Sequence, residues 1–118
     1  MRRFRDIQAW QKAHRLALEV YRITGSYPKT EMFGLTSQMR RASVSITSNI
    51  AEGCGRKSGK ELARFMLISI GSASELENLL LLSRDLQLLD GALFAQLEKD
   101  VVEVKSMLSA YVTTLKSD

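Results

Sequence analysis

One cysteine, one histidine and one proline are all that the chain holds of those three residues. The lone Cys54 excludes an internal disulfide framework, and with His14 as the sole imidazole a Cys/His zinc site cannot be built within one subunit. His14 has no partner carboxylate and nucleophile marked by any motif, so no catalytic constellation forms around it. No uncharged apolar run approaches the roughly 18 residues of a membrane-spanning helix. The N-terminal MRRFRDIQAW is basic but lacks an apolar core behind the charges, because Asp6, Gln8, Gln11 and Lys12 interrupt it. The expected compartment is the cytoplasm. Aromatics make up only 7% of the chain and nothing resembles a base-reading module, so any nucleic-acid contact is expected to be electrostatic and indifferent to base sequence.

What is present is the composition of a soluble domain, 45% hydrophobic and 25% charged in 118 residues. The whole chain, 1–118, reads as a single domain. Its charge is segregated: residues 1–64 hold 13 Lys/Arg against 5 Asp/Glu, and residues 65–118 hold 4 against 8. Two readings fit. Either a basic surface recruits a polyanion such as RNA, or basic and acidic halves face each other within or between subunits.

Four segments have helical periodicity. In the first, Ile7, Trp10, Ala13, Ala17 and Tyr21 recur at three and four, with Leu16, Val20 and Ile23 beside them; it stops at GSYPK, where Gly25 suits a left-handed helix end and Pro28 cannot continue one. In the second, QMRRASVSITSNIAEGCGRK alternates like a strand around Val44 and Ile46. Yet Leu35, Met39, Ala42, Ile46, Ile50 and Gly53 follow one helix face, and no turn breaks the run before Gly53. Its small residues, Ala42, Ser43, Ser45, Ser48 and Ala51, allow neighbouring helices to approach closely.

Ser58 and Glu61 have the spacing of a capping box, so a third helix is expected from there to about Leu89. It carries more apolar residues than one buried stripe can hold. Asp90 is placed to cap a fourth helix, along which Leu97, Val101, Val104, Leu108, Tyr111 and Leu115 form a heptad-like stripe. Short connections favour an all-α, antiparallel up-down-up-down four-helix bundle, and the surplus apolar surface of the third helix implies self-association.

The loop GCGRKSGK is not a nucleotide-binding loop, since Glu61 follows Lys60 where Ser or Thr is needed and a helix precedes it. A glycine-rich basic turn entering a helix can still hold a backbone phosphate. Arg40, Arg41, Arg56, Lys57, Lys60 and Arg64 are the candidate nucleic-acid contacts, with Arg2, Arg3 and Arg5 behind them. The alternative is a solvated face. Cys54, beside Arg56 and Lys57, sits where a thiol pKa could be lowered, though a structural or incidental cysteine is the ordinary reading. Glu75 and Glu77 point about 200° apart on a helix, so they form no carboxylate pair, and Glu75 is placed to bridge to Arg40 or Arg41 of a neighbouring helix.

Trp10, Val20-Tyr21, Tyr27-Pro28, Glu31, Gly34-Leu35, Gln38, Arg40-Arg41, Ser45-Ile46, Ser48-Asn49-Ile50-Ala51-Glu52-Gly53, Arg56, Phe65, Gly71-Ser72 and Glu75-Leu76-Glu77 together resemble the four-helix-bundle proteins encoded in intervening sequences of bacterial 23S rRNA genes. The likeness covers about residues 4–89. One departure is Thr47, where relatives usually carry proline, so any kink there should be milder. The resemblance implies a left-turning bundle, a homopentameric ring, no enzyme activity and no cofactor or metal. Within it Trp10, Tyr21, Asn49, Glu52, Gly53 and Glu75 are expected to fix bundle and ring geometry. A distantly similar branch, the accessory variability proteins of diversity-generating retroelements, forms a basic pentamer that binds nucleic acid and a reverse transcriptase. The expected partners are therefore further copies of the chain and RNA or a ribonucleoprotein, with no membrane and no small-molecule substrate. The competing expectation is a protein-protein scaffold without nucleic-acid contact, in which Arg40 and Arg41 pair with Glu52, Glu75 or Glu77.

Overall fold

The computed structural model describes residues 2–115. Four long helices follow a short 3₁₀ turn at Phe4–Asp6: α1 (Gln8–Thr24), α2 (Leu35–Cys54), α3 (Gly59–Asp85) and α4 (Gly91–Leu115). Each packs against its neighbour in the chain, and α4 closes back on α1, while α1 and α3, like α2 and α4, lie diagonally without close backbone approach. With short connections this makes the antiparallel up-down-up-down bundle, 46 × 24 × 19 Å.

The periodicity has a direct physical outcome. Leu35, Met39, Ala42, Ile46, Ile50 and Gly53 are all buried, so the apparent strand alternation belongs to one inward helix face. Helix α2 runs unbroken through Thr47, whose hydroxyl donates to the Val44 carbonyl at 3.0 Å. On α4, Leu97, Val101, Val104, Leu108 and Leu115 are buried and Tyr111 packs half-buried beside them. One hydrophobic cluster draws on all four helices. Each fully buried Leu, Ile or Met in it contributes about 1.5–3 kcal/mol by leaving water.

The helix ends follow capping chemistry, with two departures from expectation. Ser58 Oγ accepts from the Glu61 N–H at 3.1 Å and starts α3; Asp90 Oδ1 accepts from the Leu93 N–H at 3.0 Å and starts α4. Gly25, by contrast, is right-handed (φ −60°), because α1 closes through tight turns, Ser26 N–H to Ile23 O and Tyr27 N–H to Thr24 O, before Pro28. Helix α3 ends at Asp85 rather than near Leu89. Gln87 takes the left-handed conformation (φ 61°), with Leu88 N–H bonded to Ser83 O and Gln87 N–H to Arg84 O, each 2.9 Å. That is a Schellman ending without its usual glycine.

Helix α3 is, among the described residues, the one helix long and apolar enough to cross a bilayer. In the bundle, α2 and α4 cover one side of it, and Glu75, Glu77 and Asn78 fall midway along its length. Its outer side leaves Leu67, Ile68 and Leu82 more than 40% exposed, as is Leu86 just beyond its end.

Candidate functional site

The first ends brought together are the chain's N-terminus and the α2–α3 loop. The Arg2 N–H donates to the Cys54 carbonyl at 3.3 Å, and the depression beside it is lined by Arg2, Arg3, Phe4, Arg5, Ala51, Cys54 and Gly55. Gln11 Nε2 donates to the Arg5 carbonyl at 2.7 Å, tying the leading turn to α1. The arginines of the N-terminus thus join Arg56, Lys57, Lys60 and Arg64 at one end of the bundle. Among the described residues, the carboxylates at that end are Asp6, which faces Arg3 at 3.8 Å, Glu52, which accepts from Arg56 at 3.0 Å, and Glu61. Lys57 and Lys60 are exposed and, among the described residues, make no ion pair.

Phe65 organises this end in a way the sequence did not signal. Its ring is buried, and the guanidinium carbons of Arg56 and Arg64 lie 4.9 and 4.6 Å from its centroid. One ring therefore holds two guanidiniums near the helix start, where cation–π attraction offsets their mutual repulsion.

The adjacent pair Arg40-Arg41 separates. Arg40 turns inward to α1: its Nε donates to Thr24 Oγ1 at 2.9 Å and its guanidinium lies 4.7 Å from the Tyr21 ring. Arg41 faces outward into a notch between α2 and α3 that Gln38, Ala42, Ser45 and Glu75 also line. Neither arginine reaches the basic end, nor does either form an ion pair with Glu52, Glu75 or Glu77 in the subunit; Glu77 accepts from Lys105 of α4 at 3.1 Å.

The remaining motif residues serve packing. Trp10 is half-buried between Phe4 and His14, the latter stacked at 4.8 Å. Asn49 Nδ2 donates to the Ser45 carbonyl at 2.8 Å, and the Ser45 and Ser72 hydroxyls meet at 2.7 Å, linking α2 to α3. At Gly53 those helices touch closely. A Cβ there would lie 2.9 Å from Phe65 Cβ and Leu62 Cδ1.

Cys54 follows the ordinary, structural reading. Burial pushes its thiol above the ordinary value, and nearby Arg2 offsets only part of that, so the basic surroundings do not activate it. Among the described residues no group of three or more His, Cys, Asp or Glu could hold a metal ion. At the opposite end, Phe33 is 97% exposed on a loop braced by Glu31, whose backbone and side chain accept from Gly34 and Leu35. Periodicity did not mark it.

The model of the family described as 23S rRNA-intervening sequence protein matches residues 5–110. The chain belongs to that family. A similar solved structure is a protein of unknown function from the S23 ribosomal protein family of Bacteroides thetaiotaomicron, 20% identical, with a TM-score of 0.79 over 88% of this chain and 97% of that one. At that identity the likeness shows the shared bundle. No curated protein matches the chain. Neither the 23S rRNA-intervening sequence family nor this neighbour carries an assigned activity, and no enzyme family is indicated.

Proposed function

We propose that this 23S rRNA-intervening sequence family member is a non-enzymatic, homo-oligomeric bundle, pentameric as the resemblance implies, that binds RNA or a ribonucleoprotein through its basic end in the cytoplasm. The observation that carries this reading is the convergence of two cationic segments far apart in sequence: the Arg2 N–H to Cys54 carbonyl bond puts Arg2, Arg3 and Arg5 beside the loop of Arg56, Lys57 and Lys60. Convergence of this kind neutralises several phosphates at once, while the absence of a base-reading module leaves sequence unread. Arg40, engaged with Thr24 and Tyr21, and Arg41, in the α2–α3 notch, are left out of the interface. A non-enzymatic role agrees with His14 stacked on Trp10 and with a Cys54 thiol raised by burial.

A second reading, a protein-protein scaffold without RNA, is favoured by the exposed apolar face of α3 and by Phe33. Light scattering with and without a generic single-stranded RNA separates the two. The proposal expects a multimer whose mass rises by bound RNA at low salt and returns to that of the protein at high salt. A multimer that ignores RNA at low salt supports the scaffold instead.

A further inference from the structure

The depression at the basic end, about 430 Å³, has the size of a small-ligand site and joins two unlike surfaces. Its floor is apolar and made of small residues, Ala51, Cys54 and Gly55, and the half-buried Phe4 forms one wall. Trp10 holds that wall in place, with the two ring centroids 5.0 Å apart. Around the floor stand the exposed Arg2, Arg3 and Arg5; of the carboxylates nearby, Asp6 lies 3.8 Å from Arg3 and Glu52 accepts from Arg56 at 3.0 Å, and neither lines the depression. An apolar slot with a cationic rim suits a flat ring joined to phosphates. A duplex keeps its ring faces inside its own stack, whereas a single strand can offer one.

Gly55 holds the slot open for a reason other than its backbone. Its φ of −81° is right-handed, and a Cβ there would make only ordinary contact, 3.5 Å from the Glu52 carbonyl oxygen, so the turn does not require glycine. What the missing side chain leaves is room. From this we infer that the depression seats one unpaired base of the RNA against Phe4 and the Ala51–Gly55 floor, while Arg2, Arg3 and Arg5 hold the flanking phosphates, so that the basic end takes single strands rather than duplexes. The inference rests on the RNA reading proposed above and adds the strand class and the seat of a base. No amide or carboxylate side chain lines the depression, so stacking and shape act there in place of edge recognition.

The test compares affinities of the full chain for a single-stranded RNA, a blunt RNA duplex of equal length and an abasic strand of equal length, with Tm measured on each variant. Charge alone favours the duplex, which carries more charge per length. A seated base instead makes the single strand the tightest ligand, with the abasic strand about tenfold weaker. Gly55→Met fills the floor without altering charge, and it is expected to keep the Tm, weaken the single strand about tenfold and leave the duplex unmoved. Ala51→Met fills the same floor from α2 and serves if Gly55→Met unfolds the protein. Equal affinity for single strand and duplex, or a folded, filled variant that binds the single strand as wild type does, overturns the seat and leaves the basic end as an RNA-binding surface. Failure of every RNA to bind at low salt overturns both.

Discussion

The seam between α2 and α3 and the seam between α1 and α4 close one bundle by different means. Small residues bring α2 and α3 together: Gly53 against Phe65 and Leu62, Ser45 against Ser72, and the buried Ser69 hydroxyl on the Ile46 carbonyl. The α1–α4 side is looser and more polar, with Lys12 bonded to Glu103 at 2.8 Å and near Asp100 at 3.4 Å, and with an open groove of about 850 Å³ between Ile7 or Ala9 and Met107 or Tyr111. Tolerance therefore lies on the α1–α4 side. Close packing fixes the register of α2 and α3, and with it the placing of Arg41 and Glu75 on one notch, whereas half-buried ion pairs at the bundle surface fix little.

Overpacking the tight seam should have the largest effect. Gly53→Val forces branches into a space where even one Cβ is 2.9 Å from Phe65 Cβ, an atom tied to the backbone, and a loss of about 3 kcal/mol is expected in denaturant unfolding. Gly53→Ala should cost less, because the better helix propensity of alanine returns about 1 kcal/mol. If both are tolerated at wild-type stability, the seam is not the rigid one.

Ser69→Ala sharpens the comparison at smaller amplitude. It removes the buried hydroxyl bond to Ile46 but leaves that carbonyl in its helix, so about 1 kcal/mol should be lost, read from the same unfolding midpoints.

Lys12→Met should have the smallest effect, seen as a drop in Tm that high salt removes. Its pH dependence follows from the pair. The Lys12 ammonium holds the Glu103 carboxyl below the ordinary range, so this stabilisation is present at neutral pH and is lost as pH falls through that lowered value. Lys12 in turn is raised, chiefly by its bond to Glu103, so its share is lost only as pH climbs through the raised ammonium value. Tm curves of wild type and Lys12→Met should separate near neutral pH and converge in acid.

Much of this was legible in the residues. The burial of Leu35 through Gly53 on one side of α2 follows from spacing, and the caps at Ser58 and Asp90 follow from side-chain chemistry. The α3 ending was not legible, because Gln87 carries no glycine signal for its left-handed turn. At the candidate site the residue types could be read but not their grouping. Arg40 and Arg41 are neighbours in sequence, yet a helix turns about 100° between them, so the packing of α1 and α3 around α2 decides which one is enclosed. That Arg2 meets Cys54 is a contact across half the chain that no local pattern encodes.

The basic end is proposed to bind an RNA backbone through charge. Its most direct test is the affinity for a generic single-stranded RNA across a salt series, for wild type and for Arg56→Glu/Lys57→Glu, with Tm measured alongside. Log affinity is expected to fall linearly with log salt, by about 0.7 for each phosphate neutralised, and the double reversal to abolish binding with the fold retained. Affinity unmoved by salt and by the reversal would contradict it.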